Sequence, residues 1–333
     1  VLAYGENDGA IGYLIGEENH GLAYMFIMMN MARFAVGVQG LGIAERAWQQ
    51  ALSFAKERVQ SADASVRGGK PVSIIRHPDV RRMLMSMKAK IEAMRALSYV
   101  TAAQLDIAFH HADESTRQRA QAFVDLMIPV VKGWCTENAI EITSTGIQIH
   151  GGMGFIEETG AAQHYRDARI STIYEGTTGI QGKDLIGRKI ARDNGAVMKA
   201  VIAEMRALDT ELAEADDADL RVIRARLAEG IAALTTATDW LVANYNSDIK
   251  AVSAGAVPFL KLLGTVAGGW QMARAALVAH GKLAAGDRDA SFYQAKLGTA
   301  RYYADYELSQ AAALKESIVA GAVGVLALDE SQF

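Results

Sequence analysis

One stretch of this sequence stands out for chemistry: Thr172-Ile173-Tyr174-Glu175-Gly176-Thr177-Thr178-Gly179-Ile180-Gln181, where a single carboxylate lies between apolar residues and a glycine. A helix opening at Thr177 would present threonine hydroxyls and free backbone amides in its first turn. Read for chemistry, Glu175 is a general base stripped of part of its hydration, and the helix start binds an anionic or carbonyl-rich group. Read as architecture, Glu175 precedes an N-cap at Thr177 and favours the positive helix end, and caps are far commoner than catalytic bases. A phosphate-binding P-loop is excluded, because Gly182-Lys183 is followed by Asp184 and Thr177 occupies the position of the loop's first glycine.

A second segment, Gln148-Ile149-His150-Gly151-Gly152-Met153-Gly154-Phe155, places three glycines after a helix, where backbone amides can meet a ligand with no Cβ in between. A helix stop explains them equally well. The segment is not a dinucleotide fingerprint, since Glu157 stands where the last glycine belongs. The histidines lack metal-site spacing: His110-His111 diverge on a helix, and His150 and His164 have no carboxylate or cysteine support. No metal is expected. Cys135 lies mid-helix without a histidine nearby in sequence, which suits packing better than nucleophilic attack. Arg76, Arg81, Arg82, Lys88, Lys90 and Arg95 form a basic run, read as a solvated helix face.

The elements that must position these residues are helical. From Gly21 to about Val59 there is no proline and apolar residues recur at helical spacing, which predicts one long helix. Gly68-Gly69, Pro71 and Pro78 predict a loop over Arg58 to Asp79, with the next helix starting at His77-Pro78. Val80, Leu84, Met87, Ile91 and Met94 follow in steps of four and three, so they share a face that must be buried. Ser115 is the predicted N-cap of a third helix reaching His150, kinked at Pro129; a short helical piece spans Ala161 to Arg169, and Thr177 opens a fourth long helix ending near Arg192. Residues 1–20 read as a strand remnant and loop. Beyond Asn194-Gly195, helices are predicted at about 196–214, 217–248, 256–281 and 289–318. The fold class is therefore all-α: a four-helix bundle over 21–193, then a second helical domain over 194–333.

Composition excludes several functions. The chain has 333 residues, with 34 basic against 38 acidic side chains, a balance that leaves no electrostatic footprint for nucleic acid. The longest run without polar side chains, Ile318 to Leu328, is about half of a bilayer-spanning helix, so no membrane span is expected. One cysteine permits no internal disulfide, which fits a reducing compartment and a cytoplasmic location. Val1 in place of a starting methionine points to a piece of a longer protein.

Four signals, in order, resemble the acyl-CoA dehydrogenase family. Asn30-Met31-Ala32-Arg33 is similar to the family segment on its first long helix, and Arg58 after Ala55-Lys56-Glu57 to the arginine ending that helix. Gln148 to Gly154 matches Gln-x-x-Gly-Gly-x-Gly, and Tyr174-Glu175-Gly176-Thr177 followed by Ile180-Gln181 matches the Tyr-Glu-Gly-Thr signature. Residues 194–333 resemble, more loosely, the extra helical domain of a bacterial subgroup that includes methylthiopropionyl-CoA dehydrogenases. Residues 1–20 resemble the end of the family's middle β-domain, the rest of which is missing.

The resemblance implies α,β-dehydrogenation of an acyl-CoA thioester, with Glu175 taking the α-proton while the β-hydrogen leaves as hydride to flavin N5. Some relatives carry the base just before the arginine of the first helix; here that position is Ala32, which cannot act. By the same resemblance Asn30, Arg33 and Gly176 face acyl-CoA, and Thr177 and Gly179 the flavin, Gly179 standing where many relatives have glutamine. Arg58, His77, Gln148, Gly151 and Gly152 reach FAD held mainly by a neighbouring subunit, which implies a homodimer or homotetramer. An electron-transfer flavoprotein is the implied acceptor. FAD is expected in the full-length enzyme and not on this chain alone, where Glu175 and Arg33 should line an open, solvated groove. Two other readings stay open: a non-catalytic helical oligomerisation module, and an acyl-CoA oxidase.

Overall fold

The computed structural model describes residues 3–6, 8–66 and 68–333. Val1, Leu2 and Asn7 of the expected strand remnant, and Arg67 of the expected loop, lie outside the described residues. The chain runs through α1 (Gly21–Glu57), the strands β1 (Val59–Ala62) and β2 (Pro71–Ser73), α2 (Pro78–His110), α3 (Glu114–His150), the single turn α4 (Gly152–Phe155), α5 (Ala161–Ser171) and α6 (Thr178–Asp184). It continues through α7 (Ala196–Glu214), α8 (Ala218–Asn244), the short α9 (Ile249–Ala254), α10 (Ala256–Ala284), α11 (Ala290–Tyr306) and α12 (Ala311–Val319). The all-α class holds, and the described part of residues 3–20 forms no strand.

Helix α1 buries Gly37, Gly40, Ala44, Ala47, Ala51 and Ala55, spaced three and four apart, so a stripe of small residues faces the core. That stripe admits α3 at close range. A Cβ on Gly37 would lie 2.6 Å from the Val131 carbonyl oxygen, and one on Gly40 would lie 3.2 Å from Thr136 Cα. The apolar face predicted for α2 is present, with Leu84, Met87, Ile91 and Met94 buried. By length and composition α1 is apolar enough to cross a membrane. The length of uninterrupted apolar runs missed this, because Asn30 and Arg33 break the run without changing the helix's overall character. Only 17% of that apolar window is buried within the chain, and Leu22, Ile27 and Met28 of the same helix stand exposed.

Several boundaries differ from expectation for physical reasons. The stretch predicted as loop contains an antiparallel hairpin, β1 pairing with β2 as Val59↔Ser73 and Ala62↔Pro71, with an irregularity between the two pairs. The cap of α3 is Asp113, not Ser115: the Asp113 carboxylate accepts from the Thr116 amide at 2.8 Å, and the Ser115 hydroxyl donates to the same carboxylate at 2.7 Å. The predicted fourth long helix is interrupted. It is α only to Asp184, then a π-helical turn over Leu185–Ile190 and a 3-10 turn over Ala191–Asp193. Pro258 sits in the first turn of α10, where its missing N–H leaves no helical bond unmade.

The core is one contiguous hydrophobic cluster running from the first four long helices into α8, α10 and α11. Trp134 of α3 is seated against α10, where a Cβ on Gly268 would meet its ring edge at 2.8 Å. Charged pairs cross the same seam. Lys90 is 6% exposed, so it does not belong to the solvated basic face on which it was expected. It pairs with Glu141 and, at 3.6 Å, with Glu307, while Lys296 reaches Glu92 at 2.8 Å. Burial raises the Glu307 carboxyl above its usual range, with Lys90 opposing.

Candidate active site

Glu175 and Gly176 both adopt left-handed backbone, φ +56° and +90°. For glutamate this conformation is strained and must be held by its surroundings. The Gln181 side chain reaches back and donates Nε2 to the carbonyl oxygens of Glu175 and Gly176, each at 3.2 Å. Lys132 Nζ of α3 donates to the same Gly176 oxygen at 2.7 Å. Thr177 caps α6 as expected, its Oγ1 accepting from the Ile180 amide at 3.3 Å. Thr178 closes the turn, its amide bonded to the Thr172 carbonyl at 3.1 Å and its hydroxyl donating to Glu137 of α3. Tyr174 donates its hydroxyl to Gln39 of α1. Held in this way, the Glu175 side chain is half-buried and its Oε2 has no water access and no hydrogen-bond partner.

Lys132 was not among the residues the sequence singled out. It is 0% exposed. Burial pushes its ammonium down to about 8; the charge of Arg33 acts in the same direction, and those of Glu137 and Glu175 against it. Its neighbours fix the helix on both sides, since Val131 packs on Gly37 of α1 and a Cβ on Gly133 would lie 2.9 Å from Leu260 of α10.

Arg33 is buried as well, and its NH1 donates to Asp184 Oδ2 at 3.2 Å. Asp184 Oδ1 takes a second guanidinium, that of Arg188, at 3.3 Å. The expected open, solvated groove is therefore not what these residues form, because Arg33 is paired and Glu175 has lost water from one oxygen. Three buried polar atoms around the turn lack partners: Arg33 Nε, Glu175 Oε2 and Gln181 Oε1. Asn30, half-buried, lies one turn before Arg33 on α1, and Gly179 is half-buried in the first turn of α6. The structure thus gathers Arg33, Glu175, Gly176, Thr177 and Gly179 where α1, α3 and α6 meet, with Asn30 beside them on α1.

The remaining predicted residues lie at the other end of α1. Helices α1 and α3 run parallel, and Phe54 stacks on His150 at 4.5 Å where they end. Arg58, exposed, follows α1 with its amide on the Phe54 carbonyl at 2.9 Å, and its guanidinium pairs with no described residue. His77 Nε2 lies 2.7 Å from the Gln60 carbonyl oxygen. Gln148 is exposed; Gly151, at φ +61°, and Gly152 follow it with nothing within 4 Å of where a Cβ would point. A guanidinium without a described partner and two open glycines at the same end of the bundle suit an anionic ligand. Arg33 and Arg58 are 25 positions apart along α1 and its cap, which at ~1.5 Å per step is about 37 Å. The two groups do not converge within one chain. Elsewhere, His150 bonds the Gly146 carbonyl and His164 bonds Gln50, while burial pushes the Cys135 thiol up to about 12.

Comparison with known proteins accords with this geometry. Residues 19–191 match the family model described as acyl-CoA dehydrogenase, C-terminal domain, and residues 197–329 match acetyl-CoA dehydrogenase C-terminal like. The chain is 51% identical to 3-methylmercaptopropionyl-CoA dehydrogenase of Ruegeria pomeroyi over 92% of its own length and 52% of that protein's. It is 35% identical to a broad-specificity linear acyl-CoA dehydrogenase of Mycobacterium tuberculosis over 100% of its length and 56% of the relative's. It therefore spans about half the length of the curated relatives it matches. Its fold is that of Caenorhabditis elegans ACDH-11 solved with C11-CoA, at TM-score 0.73, 21% identity and coverage of 90% of this chain and 47% of that one. A Bacillus anthracis acyl-CoA dehydrogenase solved with FAD gives TM-score 0.70 at 21% identity, covering 92% of this chain and 51% of that one. The chain belongs to the acyl-CoA dehydrogenase family, and its helices correspond to that family's C-terminal part.

Proposed function

We propose that this chain carries the proton-abstracting side of an FAD-dependent acyl-CoA dehydrogenase, with Glu175 as the base. The observation that carries the reading is Glu175 Oε2, buried and unpartnered at the head of a capped helix. A carboxylate oxygen without a hydrogen-bond donor keeps a lone pair free for a substrate proton. The α C–H bond breaks and its proton goes to that oxygen. The electron pair left behind forms the Cα=Cβ bond as the β-hydrogen departs with its own pair. Bound FAD supplies the two-electron acceptor for that hydrogen. Lys132 and Gln181 hold the turn that aims the carboxylate, and burial of Glu175 Oε2 keeps competing water from that oxygen.

Asn30, Arg33 and Gly176 are the proposed acyl-CoA contacts; the unpartnered Arg33 Nε leaves a donor there beyond the bond to Asp184. Thr177 and Gly179 would meet the reactive ring of FAD, and Arg58, His77, Gln148, Gly151 and Gly152 its anionic end. The roughly 37 Å between these groups supports their serving two different FAD molecules across a homodimer or homotetramer. The FAD bound to the Bacillus anthracis neighbour supports the cofactor. The 51% identical relative makes 3-methylmercaptopropionyl-CoA the first substrate to try. An electron-transfer flavoprotein is the proposed acceptor, since one relative is named a subunit of a caffeyl-CoA reductase-Etf complex, and the cytoplasm the proposed location. Glu175→Gln in the full-length protein should retain flavin and reduce it at least about a hundredfold more slowly with acyl-CoA. Near-normal reduction would remove the assignment.

A further inference from the structure

Resting on Glu175 as the base, we propose that Lys132 is the positioning residue of this site: its ammonium clamps the Gly176 carbonyl and holds the left-handed Glu175–Gly176 turn in its reactive orientation. Three observations converge on it. The Nζ–O distance is 2.7 Å, and the side chain is completely buried. The oxygen it holds belongs to the residue directly after the base, in a turn whose φ values are unfavourable for glutamate. The helix that carries it is fixed on both sides, because Val131 and Gly133 are packed against α1 and α10.

A buried ammonium is a costly way to fill space, and an apolar side chain of the same length would fill it without desolvating a charge. What the charge adds is a strong bond to a carbonyl, since charged donors bind more tightly than neutral ones. Gln181 also reaches this oxygen, at the longer distance of 3.2 Å, and so secures the turn less firmly. The charged groups facing Lys132 are Glu137 on its own helix, Arg33 from α1 and Glu175 from the turn before α6. Burial brings its titration to about 8, within the range of a working assay. The clamp should therefore weaken as the medium becomes alkaline, when the ammonium becomes an amine.

The test is the pH dependence of flavin reduction by acyl-CoA in single turnover, using full-length wild type, Lys132→Arg, Lys132→Met and Glu175→Gln. Wild type should show an alkaline fall with a midpoint near 8. Lys132→Arg keeps its charge at every assay pH, so this fall should vanish while much of the rate is kept. Lys132→Met should be roughly tenfold or more slower with no such fall. Flavin absorbance and melting temperature show which variants are folded, and if Lys132→Met is not, the wild-type and Lys132→Arg profiles decide. A wild-type rate that stays flat from pH 7 to 9.5, or a fall that persists unchanged in Lys132→Arg, overturns the role of Lys132. Near-normal reduction by Glu175→Gln overturns the base itself, and with it the role given to Lys132. An inactive Glu175→Gln beside an unchanged Lys132→Arg profile overturns Lys132 alone.

Discussion

Arg33 and Asp184 lie 151 residues apart in sequence and 3.2 Å apart in space, each side chain more than nine-tenths buried. This pair ties α1 to the end of α6, so the helix carrying the proposed acyl-CoA contacts is fixed to the helix that Thr177 caps. Removing one partner strands the other's charge in the interior. Asp184→Asn should therefore destabilise the chain by about 3 kcal/mol in urea unfolding, whereas Arg33→Met with Asp184→Leu should recover most of that loss. Equal stability of Asp184→Asn and wild type would show that the pair is solvated.

Gly176 leaves no room for a side chain. At φ +90° an added Cβ is strained and would lie 2.8 Å from Gln181 Nε2. Gly176→Ala should cost about 1–3 kcal/mol and displace Gln181 from both carbonyls it holds. In the full-length protein flavin reduction should slow while flavin content is kept; a fully active Gly176→Ala would show that the turn tolerates another backbone path.

Lys132 should leave a mark on stability as well as on rate. Its folded-state titration lies near 8, below the ordinary 10.5, so between these values the unfolded chain binds more protons than the folded one. Stability from this group therefore rises as pH increases from about 8. Above about pH 9 the buried Cys135 thiol acts the other way, because the folded chain keeps a proton that the unfolded chain releases. Urea midpoints at pH 8 and 9 should show the rise in wild type and its loss in Lys132→Met. A wild-type midpoint that falls over this interval would contradict the direction.

The 333-residue chain by itself is expected to be folded and colourless. Arg58, Gln148, Gly151 and Gly152 are exposed, and a few polar contacts to a solvated dinucleotide do not outweigh several kcal/mol of ordering and rigid-body cost. Sedimentation should nevertheless show a dimer or tetramer, since Leu22, Phe26, Ile27 and Met28 leave an apolar face on α1 uncovered. A stoichiometric flavin absorbance band would refute the first expectation, and a clean monomer at micromolar concentration the second.

Much of this was legible in the sequence because local rules and tertiary packing agree. Pro78 stands at the first position of α2, and Thr177 caps α6, as residue type alone predicts. Lys90 was misplaced because it was grouped with charges adjacent in sequence. Grouped by helix face it falls with Met87, Ile91 and Met94, three before, one after and four after it, on the buried stripe. Lys132 carried a similar signal, one charge in the apolar run Ile128 to Cys135, but its meaning depends on Gly176, a residue 44 positions away. Asp113 and Ser115 both supply a capping oxygen, and only the geometry shows Ser115 donating to Asp113. The hairpin was unreadable because its strands are four and three residues long and mostly exposed, which leaves no alternation to detect.

The π-helical turn after Asp184 bears on how this chain is aligned with other members of its family. A turn closed by i→i+5 bonds accommodates one residue more than an α-turn. Against a relative whose helix stays α throughout, the correct superposition opens a single-residue gap between Leu185 and Ile190. An ungapped alignment would slide every later position by one, assigning Arg188 the neighbour of its true counterpart. Arg188 is the second cation on Asp184, so a register error of one residue there would misidentify which members of the family hold that carboxylate from both sides.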